Sequence, residues 1–201
     1  MFSTAGVCAP SRNSILLGMY AISSGGHHMR TTHRNRHTPE MVTPYQSCPP
    51  HYARGFTEYL RAAGYWCSNN DKTDYQFSPP LTCWDECGPW GHWRNRPDPE
   101  QPFFAVFNPT MTHESGQWEE KGGEPETDPD SVTLPPYLPD TPKARKALAR
   151  QYDNIKKSDA LLGERLRELE EDGLADNTIV VIWSDHGEGL PRGKRWLYDS
   201  G

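Results

Sequence analysis

KARKALARQYDNIKKSDALLGERLRELEED, residues 143–172, followed after Gly173–Asn177 by Thr178-Ile179-Val180-Val181-Ile182-Trp183, is the stretch that decides the fold. Tyr152, Ile155, Asp159, Leu162, Leu166 and Leu169 recur at alternating steps of three and four, which puts them on one face of a helix. Asp159 interrupts that stripe at an edge position. Gly173 supplies the stop, as glycine does just past a helix end. The apolar run at 178–183 then reads as a buried strand. Earlier in the chain, Phe56 to Gly64 has helical spacing, with Phe56, Tyr59, Leu60 and Ala63 on one face. Tyr65–Ser68 follows as a short strand, and Phe103–Phe107 reads as a buried central one. A helix leading into a buried strand, repeated, predicts an α/β fold with a mostly parallel central sheet flanked by helices.

The 201 residues suffice for one domain with a real core. Only 34% are hydrophobic, and 19 prolines and 17 glycines point to a loop-rich chain rather than a helical bundle. Residues 38–50 read as a surface connection and 78–100 as irregular. Residues 114–142 form a long acidic loop of the kind that is either functional or mobile. The net charge of −6 argues against nucleic acid as the main partner. The basic and His-rich stretch Arg30–His37 is the better place for an anion, with a solvated loop as the plainer alternative. No apolar run approaches the ~20 residues that cross a bilayer, and Met1-Phe2-Ser3-Thr4-Ala5 does not read as a secretory leader. There are five cysteines. With Cys8 set aside, the other four permit two disulfides or reduced thiols, and Cys83-x-x-x-Cys87 lacks the partners of a zinc site.

Ligands of open α/β sheets collect at the carboxyl ends of strands. The last predicted strand runs into Ser184-Asp185-His186, where a hard oxygen and an imidazole nitrogen can face one divalent cation. A capped polar strand end is the simpler reading. Phe103–Phe107 leads toward His113, a candidate general acid, although loop histidines are commonly just exposed. Tyr65–Ser68 leads to Lys72, a point charge for an anion, with Asp74 two residues on and able to point the same way. Lys194 is a second candidate anion ligand, or a solvated surface charge. Near the start, Cys8-Ala9-Pro10-Ser11-Arg12 sets a small, exposed cysteine beside a fixed cation, which suits a nucleophile acting on an anion. A buried cysteine opening a helix is the structural alternative.

The run Cys8-x-Pro10-Ser11-Arg12 with its following Gly18 turn resembles the sulfatase signature. The blocks at Lys72, His113, Asp185-His186 and Lys194 follow in that family's order, so the resemblance covers nearly the whole chain. It implies an alkaline phosphatase-like sulfatase fold and hydrolysis of a sulfate ester or sulfamate on a sulfated glycan or small molecule. By it, a maturation enzyme oxidises Cys8 to formylglycine, Arg12 holds the hydrated aldehyde, and Lys72 contacts sulfate and nucleophile. His113 stands near the leaving group, Asp185 and His186 are ligands of Ca2+, and Lys194 holds the sulfate. The spacing from Asp185 to Leu197-Tyr198 is most similar to the sulfamidase (heparan N-sulfatase) branch, which has Arg at the position of Lys194.

Many sulfatases carry Lys-x-His where this chain has Lys72-Thr73-Asp74. Asp74 is therefore expected on the substrate side as an acceptor rather than a cationic donor. The family also places a strand with two metal-binding aspartates before the cysteine motif, and a C-terminal subdomain after the last block. Residues 1–201 are accordingly expected to be a partial catalytic domain, truncated at both ends, poor in calcium affinity and inactive alone. The full-length protein is expected in the periplasm or outside the cell. A phosphatase of the same superfamily is disfavoured, because those enzymes use Ser or Thr where Cys8 stands. A reading from another class is a non-catalytic module that binds sulfated glycans through Lys72, Lys194 and Arg30–Arg36.

Overall fold

The computed structural model describes residues 3–31 and 44–196. The chain forms two compact units, Met1–Asn108 (with Gly201) and Pro109–Ser200.

In the first unit, α1 (Cys8–Leu17) starts at the cysteine itself, with Val7 extended before it and no side-chain cap. Pro10 falls in the first turn, where backbone N–H groups have no helical partner and a missing one costs nothing. Gly18, at φ 64°, closes the helix by donating to Ser14 O at 2.9 Å. Two short helices follow, α2 (Ala21–Ser24) and α3 (Phe56–Ala62). In α3 the Glu58 carboxylate accepts the Gly55 N–H at 2.9 Å. The strands β1 (Trp66–Asn70), β2 (Glu86–Gly88) and β3 (Phe103–Phe107) form a parallel sheet in the order β2-β1-β3. Trp66 pairs with Phe103 and Asn70 with Phe107, so β1 and β3 end level.

The apolar run of β3 is explained by its two covered faces. Phe104 and Val106 pack against Leu16, Cys67, Tyr75, Cys83 and Trp84, joined by Phe56 and Leu60 of α3. Phe103 and Phe107 turn the other way onto Trp93, with ring centroids 5.7 and 5.5 Å apart. Burying a ring of this size contributes about 2 kcal/mol. β3 is nevertheless the edge of the three-stranded sheet, and β1 holds the centre that the sequence pattern assigns to β3. Tyr59 of the predicted α3 face is exposed, while Thr57 takes a fully buried place instead. All five cysteines are free thiols. Burial, with Asp85 adding to it, pushes the Cys67 thiol up to about 12, and burial followed by Glu58 pushes Cys83 up to about 11. The reduced reading of these cysteines is the one that holds.

In the second unit, α4 (Glu119–Gly122) precedes the long α5 (Pro142–Glu171). Thr141 caps α5 by accepting the Ala144 N–H at 3.2 Å, and Pro142 opens it. All but one of its buried residues lie in its first half. Ala147, Leu148 and Ala149 pack with Val132 and Leu190, flanked by Trp118, Leu134 and Leu138. The predicted stripe is correct in period but not in face, since Tyr152, Ile155, Asp159 and Leu166 are exposed and Leu169 alone of the six is buried. The buried side is set by what the 114–142 segment lays against it. That segment is not a bare loop. It contains α4 and two 3-10 turns, and α5 pins it through Arg145, Arg150 and Asp153.

Asp153 is buried and accepts from Glu126 N at 2.7 Å, Thr127 N at 3.0 Å and Thr127 Oγ1 at 2.6 Å. Burial works against its charge, but the bonds from Thr127 and Glu126 outweigh it and hold the carboxyl below its ordinary value. A depressed carboxyl pKa stabilises the fold above the unfolded value of about 4, and that stability fades as pH falls through the folded value. Asp153→Ala is expected to cost about 3 kcal/mol at pH 7, measured by denaturant unfolding, and clearly less at pH 3. An equal loss at both pH values would refute the ionised role.

Thr178–Trp183 is not a strand. The second unit contains no strand among the described residues, so within that unit the run has no ladder to join. Its side chains are open to solvent, with Ile179 92%, Val181 70% and Ile182 73% exposed.

Candidate functional site

Two groups of side chains carry the predicted chemistry, one in each unit. In the first, Cys8 occupies the first position of α1 and is only 1% exposed, against the expectation of an exposed thiol. Its burial follows from the packing of α1, which is covered on nearly every side. Arg12, one turn on and also buried, spans the ends of the sheet. Its Nε donates to Thr73 O at 2.9 Å, and its Nη2 donates to Lys72 O at 2.7 Å and to Asn108 Oδ1 at 2.6 Å. Asn108 Nδ2 in turn donates to Asn69 Oδ1 at 3.1 Å and Asn70 O at 2.8 Å. Arg12 therefore locks the loop that carries Lys72 and Asp74 to α1 and to the end of β3.

Asp74 does not stand alone as an acceptor. Both its oxygens receive Arg30, from Nε at 3.2 Å and Nη2 at 2.8 Å, and Lys72 Nζ lies 3.9 Å away. Arg30 also interacts with the Cys8 side chain. Burial opposes the guanidinium charge, but Asp74 first and Cys8 after it more than offset this, and the Arg30 pKa is raised. The forked Arg–carboxylate geometry is specific to arginine. Arg30, Asp71, Asp74 and Gln76 all have positive φ, between 49° and 75°. Such backbone strain collects where the surrounding structure has reason to hold it. The rest of the predicted basic stretch, 32–37 with Arg36 in it, lies outside the described residues, as do Leu197-Tyr198.

In the second unit, His113 Nδ1 accepts the Ser115 N–H at 3.2 Å and meets Ser115 Oγ at 2.9 Å. An acceptor role at Nδ1 puts the neutral ring's proton on Nε2. His186 has the opposite arrangement. Its Nδ1 lies 2.7 Å from Gly187 O, which can only accept, so Nδ1 carries the hydrogen. His186 Nε2 then faces Asp185 Oδ1 at 3.5 Å. At that separation the two groups are near enough to share a proton or a cation. A ring whose far nitrogen is tied to a carbonyl is also the usual setting of a metal-bound histidine. The pair thus fits a divalent cation as two ligand positions. Among the described residues of this unit no third carboxylate, histidine or cysteine joins them, while calcium takes six to eight oxygens.

Lys194 is 3% exposed, and its Nζ lies 2.7 Å from Glu114 Oε2. Arg195 binds the other oxygen of Glu114. Burial tends to raise the Glu114 pKa, but the bonds from Lys194 and then Arg195 win and hold it below the usual carboxylate range. The turn before Lys194 is built on close approach. Lys194 N donates to Glu188 O at 2.7 Å, and a Cβ on Gly193 would lie 2.3 Å from that same oxygen. Sequence reasoning singled out Lys194 but missed Glu114 and Arg195, which have no motif of their own; the signal available was a carboxylate beside His113.

Residues 92–201 match the sulfatase family model. The whole chain is 45% identical to an ulvan-active sulfatase of Formosa agariphila, over an alignment of 237 positions that covers 100% of this chain and 39% of that protein. A second ulvan-active sulfatase of the same organism is 27% identical over 92% of this chain and 42% of its own length. The N-sulphoglucosamine sulphohydrolase of Homo sapiens is 35% identical over 49% of this chain and 20% of its own. The chain therefore spans less than half the length of these curated relatives.

Proposed function

Because the chain belongs to the sulfatase family, we propose that it serves the hydrolysis of a sulfate ester or sulfamate on a sulfated glycan, with formylglycine made from Cys8 as the nucleophile. The observation that carries this reading is the setting of Cys8: the first position of α1, with Arg30 reaching its side chain and Asp74 orienting Arg30. A cationic group fixed beside position 8 lowers the cost of bringing a sulfate group there. The names of the relatives, which act on ulvan and on N-sulphoglucosamine, support a sulfated glycan as substrate.

Oxidised to formylglycine, position 8 would supply an aldehyde hydrate able to attack sulfur. Arg12 keeps Lys72 in place through its backbone carbonyl, and Lys72 is the ammonium we assign to the sulfate. Lys194 is the second. His113, with its proton on Nε2, is the acid we assign to the departing oxygen or nitrogen, so that the S–O or S–N bond breaks with the electron pair on a protonated leaving group. Asp185 and His186 would hold Ca2+, which would offset negative charge on the sulfate oxygens. Asp74, in place of the family's histidine, positions Arg30 instead of donating a proton. No described helix is long and apolar enough to cross a membrane, and an exported protein fits a polymeric glycan substrate.

The test is mass spectrometry of the peptide carrying Cys8, from a host that contains a formylglycine-generating enzyme. Conversion lowers the mass by about 18 Da, from CH2SH to CHO. An unmodified thiol from such a host would reject the enzyme reading in favour of a module that only binds sulfated glycans.

A further inference from the structure

We propose that Glu114 sets the charge selectivity of the anion site at Lys194, matching it to a singly charged sulfate ester and against a doubly charged phosphate ester. This rests on the reading of Lys194 as a sulfate ligand. A desolvated ammonium needs a counter-charge, and Lys194, nearly sealed from solvent, has Glu114 at 2.7 Å. The second carboxylate oxygen is taken by Arg195, which is more than half exposed. Glu188, the nearest other acid in the turn, directs its carboxylate to Leu190 N at 2.6 Å and to Gln117 Nε2 at 3.5 Å. The cluster of Lys194, Arg195 and Glu114 therefore carries two positive charges and one negative, a net of +1.

A sulfate monoester carries one negative charge and brings this cluster to neutrality. A phosphate monoester carries about −1.5 to −2 at pH 7, and its second charge is left facing the Glu114 carboxylate. Without Glu114 the cluster would be +2 and suited to the dianion. Glu114 is on this account a specificity-determining residue. It keeps a site built of two cations from becoming a phosphate site.

The test is an NMR-detected titration of the whole chain, with Cys8 unmodified so that nothing turns over. The probes are 4-nitrophenyl sulfate and 4-nitrophenyl phosphate at pH 8, where the phosphate is dianionic. Glu114→Gln is expected to shift the ratio of affinities about tenfold toward the phosphate, and Glu114→Asp, which keeps the charge, to leave the ratio within about twofold. Arg195→Gln, an exposed change, is expected to move the ratio toward the sulfate by a similar factor, and it still decides the matter if Glu114→Gln unfolds. Lys194→Gln is expected to weaken both probes. If Lys194→Gln weakens both while the Glu114 and Arg195 variants leave the ratio unchanged, charge selectivity by Glu114 is wrong and the sulfate-ligand role of Lys194 stands. If Lys194→Gln changes neither affinity, that role itself is overturned and the inference goes with it.

Discussion

On the proposed role of position 8 as the formylglycine nucleophile, Cys8→Ala in protein matured by a formylglycine-generating enzyme is expected to lower whatever sulfate ester hydrolysis the parent shows by about 10^4-fold or more, the scale on which removal of a covalent nucleophile acts. Its unfolding free energy should fall by only about 1 kcal/mol, because a single small buried group is lost from the first turn of α1. Cys8→Ser leaves an alcohol, which would need a two-electron oxidation to give the same aldehyde, and should be as inactive in a host whose enzyme acts on thiols. The readouts are release of 4-nitrophenol from its sulfate and denaturant unfolding of the same preparations. Hydrolysis that survives in the alanine variant would remove Cys8 from the mechanism.

Arg12→Ala is expected to act first on the fold. Arg12 is buried and makes three hydrogen bonds that tie α1 to the Lys72-Thr73 loop and to Asn108. Its loss leaves two backbone carbonyls and an amide oxygen without that partner. The cost should be about 3–4 kcal/mol, the range for breaking a buried charged network, or a fall in melting temperature of roughly 15 °C for a unit of this size. Arg12→Lys keeps the charge but not the fork, and should recover less than half of this. If both variants melt within a few degrees of the parent, Arg12 is not the clamp its bonds suggest. Lys72 and Asp74 would then have to be held by other means.

What was legible in the sequence was what sits close together in it. The cysteine motif, the stop at Gly18, the parallel pairing implied by β1 and β3, and the existence of α5 all rest on spacings of a few residues. The face of α5 was not legible. Periodicity gives a stripe, but burial depends on where Val132 and Leu190 land, and they come from elsewhere in the chain. Thr178–Trp183 has the composition of a strand, yet a strand needs a neighbour, and composition does not supply one. At the candidate site the same division holds. Arg30 reaches Asp74 across 44 residues and Arg195 reaches Glu114 across 81. Neither partner can be chosen from a single sequence that contains 27 acidic residues. Asp74, read as an acceptor for substrate, turns out to be occupied by Arg30, and its departure from the family's histidine becomes intelligible as part of an ion pair.

The exposed run Ile179-Val180-Val181-Ile182-Trp183 bears on how this chain behaves in solution. A segment of this length, apolar throughout, uncharged and free of proline, has the character of a sticky edge on which further chains can build a ladder. Asp176, three residues before the run, and Asp185, two residues after it, are the charges that flank it and can serve as gatekeepers against that pairing. Colloidal stability should therefore depend in part on Asp185, one of the two residues read as metal ligands, and a cation that neutralises Asp185 would weaken the barrier to association.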